Sequence, residues 1–217
     1  MLPFTRVQFL DLFAQYNLGV WPVQAVACLL GLAMVVLLPR PSPNASRAIG
    51  AGLALMWAWT GIVYHGVYFA RINPAALVFA ALFVVQGLLL MHAVVRGTLR
   101  FGSPGGAAAL TGWSLLLYAG VLYPLAGLAA GHRYPELPMF GITPCPVTLF
   151  TFGLLLLTTA PVPRGLLAIP FVWSLIGGSA AILLDMPQDW PLLLSGLVIL
   201  PVLFGERGRR DMPRAIR

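Results

Sequence analysis

The chain has 217 residues, of which 59% are hydrophobic and only 9% are charged. Ordinary soluble domains carry roughly a quarter charged residues, so this composition excludes a water-facing surface around the whole molecule. The 13 arginines and six acids give a net charge of +7, but the arginines are dispersed over short connections and a tail, which indicates membrane orientation rather than nucleic-acid binding.

The amino-terminal segment has the pattern of a helix that is too polar to cross a membrane. Apolar residues recur at helical spacing, with polar residues between them, at Phe4, Val7, Leu10 and Phe13. Thr5 and Gln8 have the spacing of a capping box. Residues 1–17 are therefore predicted to form an amphipathic helix that lies in the membrane interface.

Seven long apolar stretches follow, separated by prolines, glycines and polar residues. A hydrocarbon core of about 30 Å requires about 20 apolar residues per helix, and the stretches are close to that length. The sequence lacks the apolar–polar alternation of membrane strands. We predict an all-α, polytopic protein with one domain, a seven-helix bundle over residues 18–205. The predicted spans are about 18–38, 48–70, 74–95, 106–129, 145–161, 166–184 and 190–205.

The distribution of arginine predicts the orientation of this bundle. With the amino terminus outside, ten of the 13 arginines fall on the inner side, five of them in a basic cytoplasmic tail at 206–217. The inner connections hold Arg40, Arg47, Arg96, Arg100 and Arg164. Four of the six acids fall on the opposite side, namely Asp11, Glu136, Asp185 and Asp189.

A set of short motifs runs through most of the chain in a characteristic order. They are Tyr16-Asn17 with Trp21-Pro22 and Gln24, Tyr64-His65, Ile72-Asn73-Pro74-Ala75-Ala76, and Phe140-Gly141-Ile142-Thr143-Pro144 with Pro146 and Thr148. In this the chain resembles a family of bacterial multi-pass membrane proteins known as domain of unknown function 6064. The resemblance implies a fold in the bacterial inner membrane but no chemistry.

The polar residues that stand out lie near the predicted outer surface. His65 follows Tyr64 close to the end of the second span, at a depth where an ionisable group is costly and is often functional. It is either a ligand-binding residue or a ring hydrogen-bonded to a neighbouring helix. Asn73, Asp185 and Asp189 join the candidate site, although Asn17, Asn73 and Asp189 are equally placed to cap helix amino termini.

Other residues have a simpler structural interpretation. Ser174 with Gly178, and Gly177 with Ala181, are small-residue pairs typical of close helix packing. Tryptophans that either line an interior cavity or face lipid are Trp57, Trp113 and Trp173.

Three functions remain open on the sequence alone. The first is binding, sensing or transport of a small molecule or ion in an outward-facing pocket lined by His65, Tyr64, Asn73, Asp185 and Asp189. The second is a membrane-embedded hydrolase or transferase that uses His65 with an outer carboxylate. The third is an accessory subunit that binds another membrane protein, or a homo-oligomer. We expect the lipid bilayer as a partner and no nucleic acid, predict no metal site, and leave the cofactor unknown. The absence of lysine excludes Schiff-base chemistry.

Overall fold

A computed structural model of the chain describes residues 2–199, and helices make up most of that range. The helices are α1 (Arg6–Gly19), α2 (Val23–Leu37), α3 (Pro43–Trp59), α4 (Ala76–Val95), α5 (Gly106–Leu117), α6 (Tyr123–Ala129), α7 (Pro144–Leu156), α8 (Gly165–Leu183) and α9 (residues 190–199). Two of them continue in wider π-helical turns, α3 through Thr60–Tyr68 and α5 through Tyr118–Leu122. The all-α prediction is confirmed.

Four of the helical units are long and apolar enough to cross a membrane. They are Pro43–Arg71, Ala76–Val95, Gly106–Ala129 and Gly165–Leu183, close to the predicted second, third, fourth and sixth spans. Their outward faces carry large aliphatic side chains such as Leu55, Leu88, Leu110 and Ile182, all more than half exposed. Such faces are favourable against lipid and unfavourable against water, so the fold is consistent with a membrane protein.

The predicted first span, 18–38, is wrong as a single helix. α1 continues to Gly19, the chain breaks at residues 20–22, and α2 leaves at an angle of 84° to α1. Pro22 follows the end of α1, where its ring removes a backbone donor and restricts the residue before it. The two helices together form a fifth candidate span only if the bent pair crosses as one unit.

α7 corresponds to the predicted fifth span but is shorter than expected, because it ends at Leu156. Its 13 residues rise about 20 Å, less than the hydrocarbon thickness. Every residue of α7 except Cys145 is buried, so the other helices surround it on all sides. The Trp57 indole donates a hydrogen bond of 2.8 Å to Thr151 of α7 and ties α3 to this central helix. α7 therefore packs against protein rather than lipid.

The connections between helices meet at two ends of the bundle. At one end, Phe101 pairs with Thr158, and the Phe101 amide donates to Ser46. This end carries the arginines of the connections near residues 40, 47, 96, 100 and 164, and we call it the arginine end. The other end, called the α1 end, gathers α1 with the segments at 71–75, 130–143 and 184–189. Part of the predicted seventh span, and the whole basic tail at 206–217, lie outside the described residues.

Candidate functional site

α1 packs across the α1 end of the bundle and covers a cavity of about 120 Å³. Aromatic rings form most of its wall. They come from α1 and the residues just before it, from the end of the α3 unit, and from α4, α6 and α8: Phe4, Phe9, Phe13, Tyr64, Phe69, Phe79, Tyr123 and Trp173. Polar groups enter this aromatic wall at Asn73, Thr143, Cys145 and Asp189. The cavity is thus a mainly apolar site with a few polar groups, which is the usual composition of a small-molecule site.

The helix predicted to lie in the membrane interface, α1, packs against the end of the bundle. Its capping box is confirmed, because Thr5 accepts from the Gln8 amide and the Gln8 side chain accepts from the Thr5 amide. Phe13 stacks on Tyr64 at a centroid distance of 5.7 Å, and the Tyr16 hydroxyl donates to the Ile142 carbonyl at 2.7 Å. Arg6, Gln8, Asp11 and Gln15 are exposed, whereas Phe13 and Tyr16 lie against protein. The predicted amphipathic pattern is only partly present, because Asn17 is buried and Val7 of the predicted apolar stripe is exposed.

Asn17 holds α1 to the long connection rather than capping the next helix. Its side-chain amide donates to the carbonyls of Pro135 and Leu137, at 2.6 and 2.7 Å. Arg6 makes a second link, since its guanidinium donates to the Leu184 carbonyl and lies 3.0 Å from Nε2 of His132. These contacts join α1 to the two connections that border the cavity.

The π-helical turns of the α3 unit place Tyr64 and His65 differently. A π-helix of Thr60–Tyr68 is unusually long, since π-helical turns are rare and frequently accompany functional sites. Tyr64 lines the cavity and contacts the rings of α1. His65 does not line the cavity, and its ring lies among the rings of Phe79, Phe83 and Trp173.

His65 is fully buried, and neither ring nitrogen has a hydrogen-bond partner in the described structure. The interpretation of His65 as a ring hydrogen-bonded to a neighbouring helix is therefore wrong. The side chain does not line the cavity, but it touches Phe79 and Trp173, which do. His65 supports the cavity wall from behind.

Asp189 is the acidic group of the cavity. It is 5% exposed, and the Tyr123 hydroxyl donates to Oδ1 at 2.5 Å. Burial raises the pKa of Asp189 to about 6, against hydrogen bonds from Tyr123 and the Cys145 thiol that lower it. Within residues 2–199, no arginine or histidine contributes to that pKa. The carboxylate therefore lacks a compensating positive charge among the described side chains.

The other two predicted site residues have separate positions. The Asn73 side chain accepts a hydrogen bond from the Ala75 amide at 3.2 Å, but it does not cap α4 as predicted, because α4 begins at Ala76 and Ala75 is in the capping position. Asn73 also lines the cavity. Asp185 is exposed, has a positive φ of 54°, and lies outside the cavity wall. The structure therefore brings together Tyr64, Asn73 and Asp189, with His65 behind them and Asp185 apart.

Several groups at the site could not be identified by sequence reasoning. Tyr123 and Asp189 are 66 positions apart, and nothing in the local sequence of either indicates their hydrogen bond. His132 is buried between Arg6 and Gln188, both of which are distant from it in the sequence. Burial and the neighbouring Arg6 charge lower its pKa, so it stays neutral near pH 7. Within the described residues, no group of three or more potential metal ligands converges.

A family model described as a family of unknown function (DUF6064) matches residues 6–214. The chain belongs to this family. No curated protein and no solved structure matches this DUF6064 chain. The matched region runs from the first residue of α1 past the end of α9, so it contains all of the cavity wall except Leu2 and Phe4. The covering helix is thus part of the DUF6064 region.

Proposed function

We propose that this DUF6064 protein resides in the bacterial inner membrane and binds a small molecule in the cavity beneath α1, with the α1 end outside. Binding is the step that a sensor and a transporter share, and the proposal covers both. The observation that carries it is the aromatic cavity beneath α1, which Asp189 lines from between α8 and α9.

The composition of the wall supports binding over simple packing. A core without a binding role is expected to be filled at close-packed density, with its polar groups paired internally. Here a space of about 120 Å³ adjoins a buried carboxylate, a thiol and two tyrosine hydroxyls. An apolar cavity of roughly 150 Å³ accommodates a molecule the size of benzene, so the proposed ligand is of fragment size.

The orientation rests on the charge pattern of the two ends. The five arginines at the arginine end correspond to the inner connections of the sequence prediction, and positive connections favour the cytoplasmic side. The α1 end carries Asp11, Glu136 and Asp185 on its surface, with fewer arginines. A cavity at that end would receive its ligand from the periplasm or from the outer leaflet.

The hydrolase or transferase alternative has less support in the geometry. That mechanism needs the His65 ring within hydrogen-bond reach of a carboxylate or of substrate. Both ring nitrogens are unpartnered, and the side chain lies behind the wall rather than in the cavity. The accessory-subunit alternative has no specific contact surface in its favour.

The test is a cavity-filling substitution with a matched control on the same helix. Ala180 lines the cavity, whereas Ala168 is exposed on α8 outside the cavity wall. Fragment-sized compounds are screened against detergent-solubilised wild type by thermal shift and by native mass spectrometry. Compounds that bind are expected to lose at least about tenfold in affinity for Ala180→Phe, a change of about 1.4 kcal/mol, and none for Ala168→Phe.

Two results would count against the proposal. One is equal affinity of every bound compound for Ala180→Phe and wild type, which would place the binding elsewhere. The other is an Ala180→Phe protein that is more stable than wild type and also restores the phenotype of a strain in which the gene is deleted. The latter outcome would mean that the cavity is a packing defect.

A further inference from the structure

We propose that the ligand is a small organic cation, an amine or quaternary ammonium group, held by the Asp189 carboxylate and by the aromatic walls of the cavity. This inference rests on the proposed function and names the class of molecule that the same site takes. The charge of Asp189, the aromatic wall of the cavity and the volume of the cavity each support this assignment.

The charge argument starts from the groups that face Asp189. They are Tyr123 of α6, Cys145 of α7, Tyr118 of the π-helical turn and Tyr64 of the α3 unit. All four are uncharged near pH 7, since tyrosine and cysteine ionise only at higher pH. Taking a carboxylate out of water without an opposite charge is costly. A bound cation would supply that charge, whereas an anion would add to the cost and a neutral molecule would leave it unchanged.

The walls suit a cation for a separate reason. The π face of Phe, Tyr or Trp attracts an ammonium group, and most strongly where water is excluded. Eight aromatic rings line this cavity, drawn from five parts of the fold. Among residues 2–199, no arginine or histidine lines the cavity, so no cationic side chain of that range competes for the rings.

The cavity volume sets the size of the group that enters. A space of about 120 Å³ admits a compact ammonium headgroup but not an extended polyamine in full. Choline is a suitable probe, because it carries a trimethylammonium group at every pH. Its uncharged isostere, 3,3-dimethyl-1-butanol, has the same shape without the charge.

Binding of choline should depend on pH through the protein alone. The pKa of Asp189 lies at about 6, so its carboxyl is ionised above pH 6 and protonated below it. Burial and the neighbouring Arg6 charge lower the pKa of His132, which lies at the same end. Choline affinity is therefore expected to fall as the pH drops from 8 to 5, while the affinity of the isostere stays constant.

The experiment measures both compounds by isothermal titration calorimetry on the full-length protein in detergent. At pH 8, choline is expected to bind at least about tenfold more tightly than its isostere, which equals about 1.4 kcal/mol. Asp189→Asn should remove the preference and the pH dependence. Asp185→Asn is the matched control: it removes an exposed acid four positions away and should leave both unchanged.

The outcomes separate this inference from the proposed function. Equal binding of the two compounds, no binding of choline, or a preference that survives in Asp189→Asn would overturn the cation assignment. If fragments from the screen still bind in a manner sensitive to Ala180→Phe, the cavity remains a binding site for another class of molecule. The pH profile of the wild type needs no variant, so a poorly folded Asp189→Asn protein would still leave a decisive measurement.

Discussion

The core around α7 and the cavity beneath α1 are both built mainly from apolar residues, but their packing differs. Around α7, glycines bring helices into backbone contact: a Cβ at Gly112 of α5 would lie 2.9 Å from the Gly153 carbonyl of α7. The polar groups there are paired internally, as in the bond from Trp57 to Thr151. Beneath α1, large rings surround open space, and the buried acid has no counter-charge within residues 2–199.

The comparison distinguishes a region where helix backbones are in direct contact from a region where aromatic side chains border an open space. Protein interiors are normally close-packed, so an open space beside a buried carboxylate calls for an explanation. That contrast is the strongest general argument for a ligand at the α1 end.

The largest loss of stability is expected from a substitution in the core around α7, where two helices are in backbone contact. Gly112→Val would place side-chain atoms against the Gly153 carbonyl and Leu157, and we expect it to destabilise the protein by at least about 3 kcal/mol. Gly120→Val in the same span has nothing within 4 Å and should cost less than about 1 kcal/mol. Thermal unfolding of the pair in detergent measures the contrast. Similar losses would show that the core is looser than its geometry indicates.

A somewhat smaller change in stability is expected from the ionisation of Asp189 at the α1 end. The folded carboxyl of Asp189, with a pKa of about 6, holds its proton more tightly than the unfolded carboxyl, whose pKa is 3.8. The contribution of Asp189 to the free energy of unfolding is therefore greatest below pH 4, falls as the pH rises from about 4 to 6, and is constant above that. The total loss is about 2–3 kcal/mol.

Comparing wild type with Asp189→Asn isolates this contribution, because other titrating groups cancel in the difference. The Asn variant should lose the dependence on pH between 4 and 6. A wild type that gains stability over the same interval, relative to the variant, would mean that Asp189 has a positive partner. The choline experiment would then need a different explanation.

The smallest effect is expected behind the cavity wall. His65→Phe removes two ring nitrogens that have no hydrogen-bond partner and keeps a flat ring among Phe79, Phe83 and Trp173. We expect the variant to be more stable by about 1 kcal/mol, because buried unpaired polar atoms are costly. His92→Phe on the exposed face of α4 should change little.

Ligand binding in His65→Phe decides the role of this side chain. Unchanged binding of the screened compounds would leave His65 with a purely structural role behind the cavity wall. Loss of binding in a variant that is stable would assign His65 a direct part in the site, contrary to its position behind the rings.

The sequence was sufficient for the helices and for much of their packing. Apolar length predicted four spans closely, and the small-residue pair of Ser174 and Gly178 correctly indicated a close helix contact, since Gly178 lies against Leu193 of α9. The break at residues 20–22 and the early end of α7 were missed. The break lies at Pro22, inside a stretch whose apolar composition predicted one continuous helix. The early end of α7 follows from tertiary packing, because hydrophobicity does not distinguish a helix buried in protein from one buried in lipid.

The candidate site was harder to predict for a physical reason. Tyr64, Asn73 and Asp189 were each identified by their own chemistry at a helix end, and the fold brings them to one cavity. Whether Asp185 or Asp189 faces that cavity depends on one turn of backbone, with Asp185 in a left-handed conformation at φ 54°. The aromatic lining from α1 depends on how α1 docks, which no local pattern encodes.

The sharp corner between α1 and α2 bears on how fast a ligand can come and go. α1 joins α2 through the short turn at residues 20–22, and Arg6, Tyr16 and Asn17 bond α1 to the rest of the bundle, so a pivot of α1 about that turn would break those bonds. Exchange would then be governed by the time α1 spends displaced, and the observed association rate would level off as ligand concentration rises. Such a protein would retain its cargo far longer than a shallow groove of equal affinity.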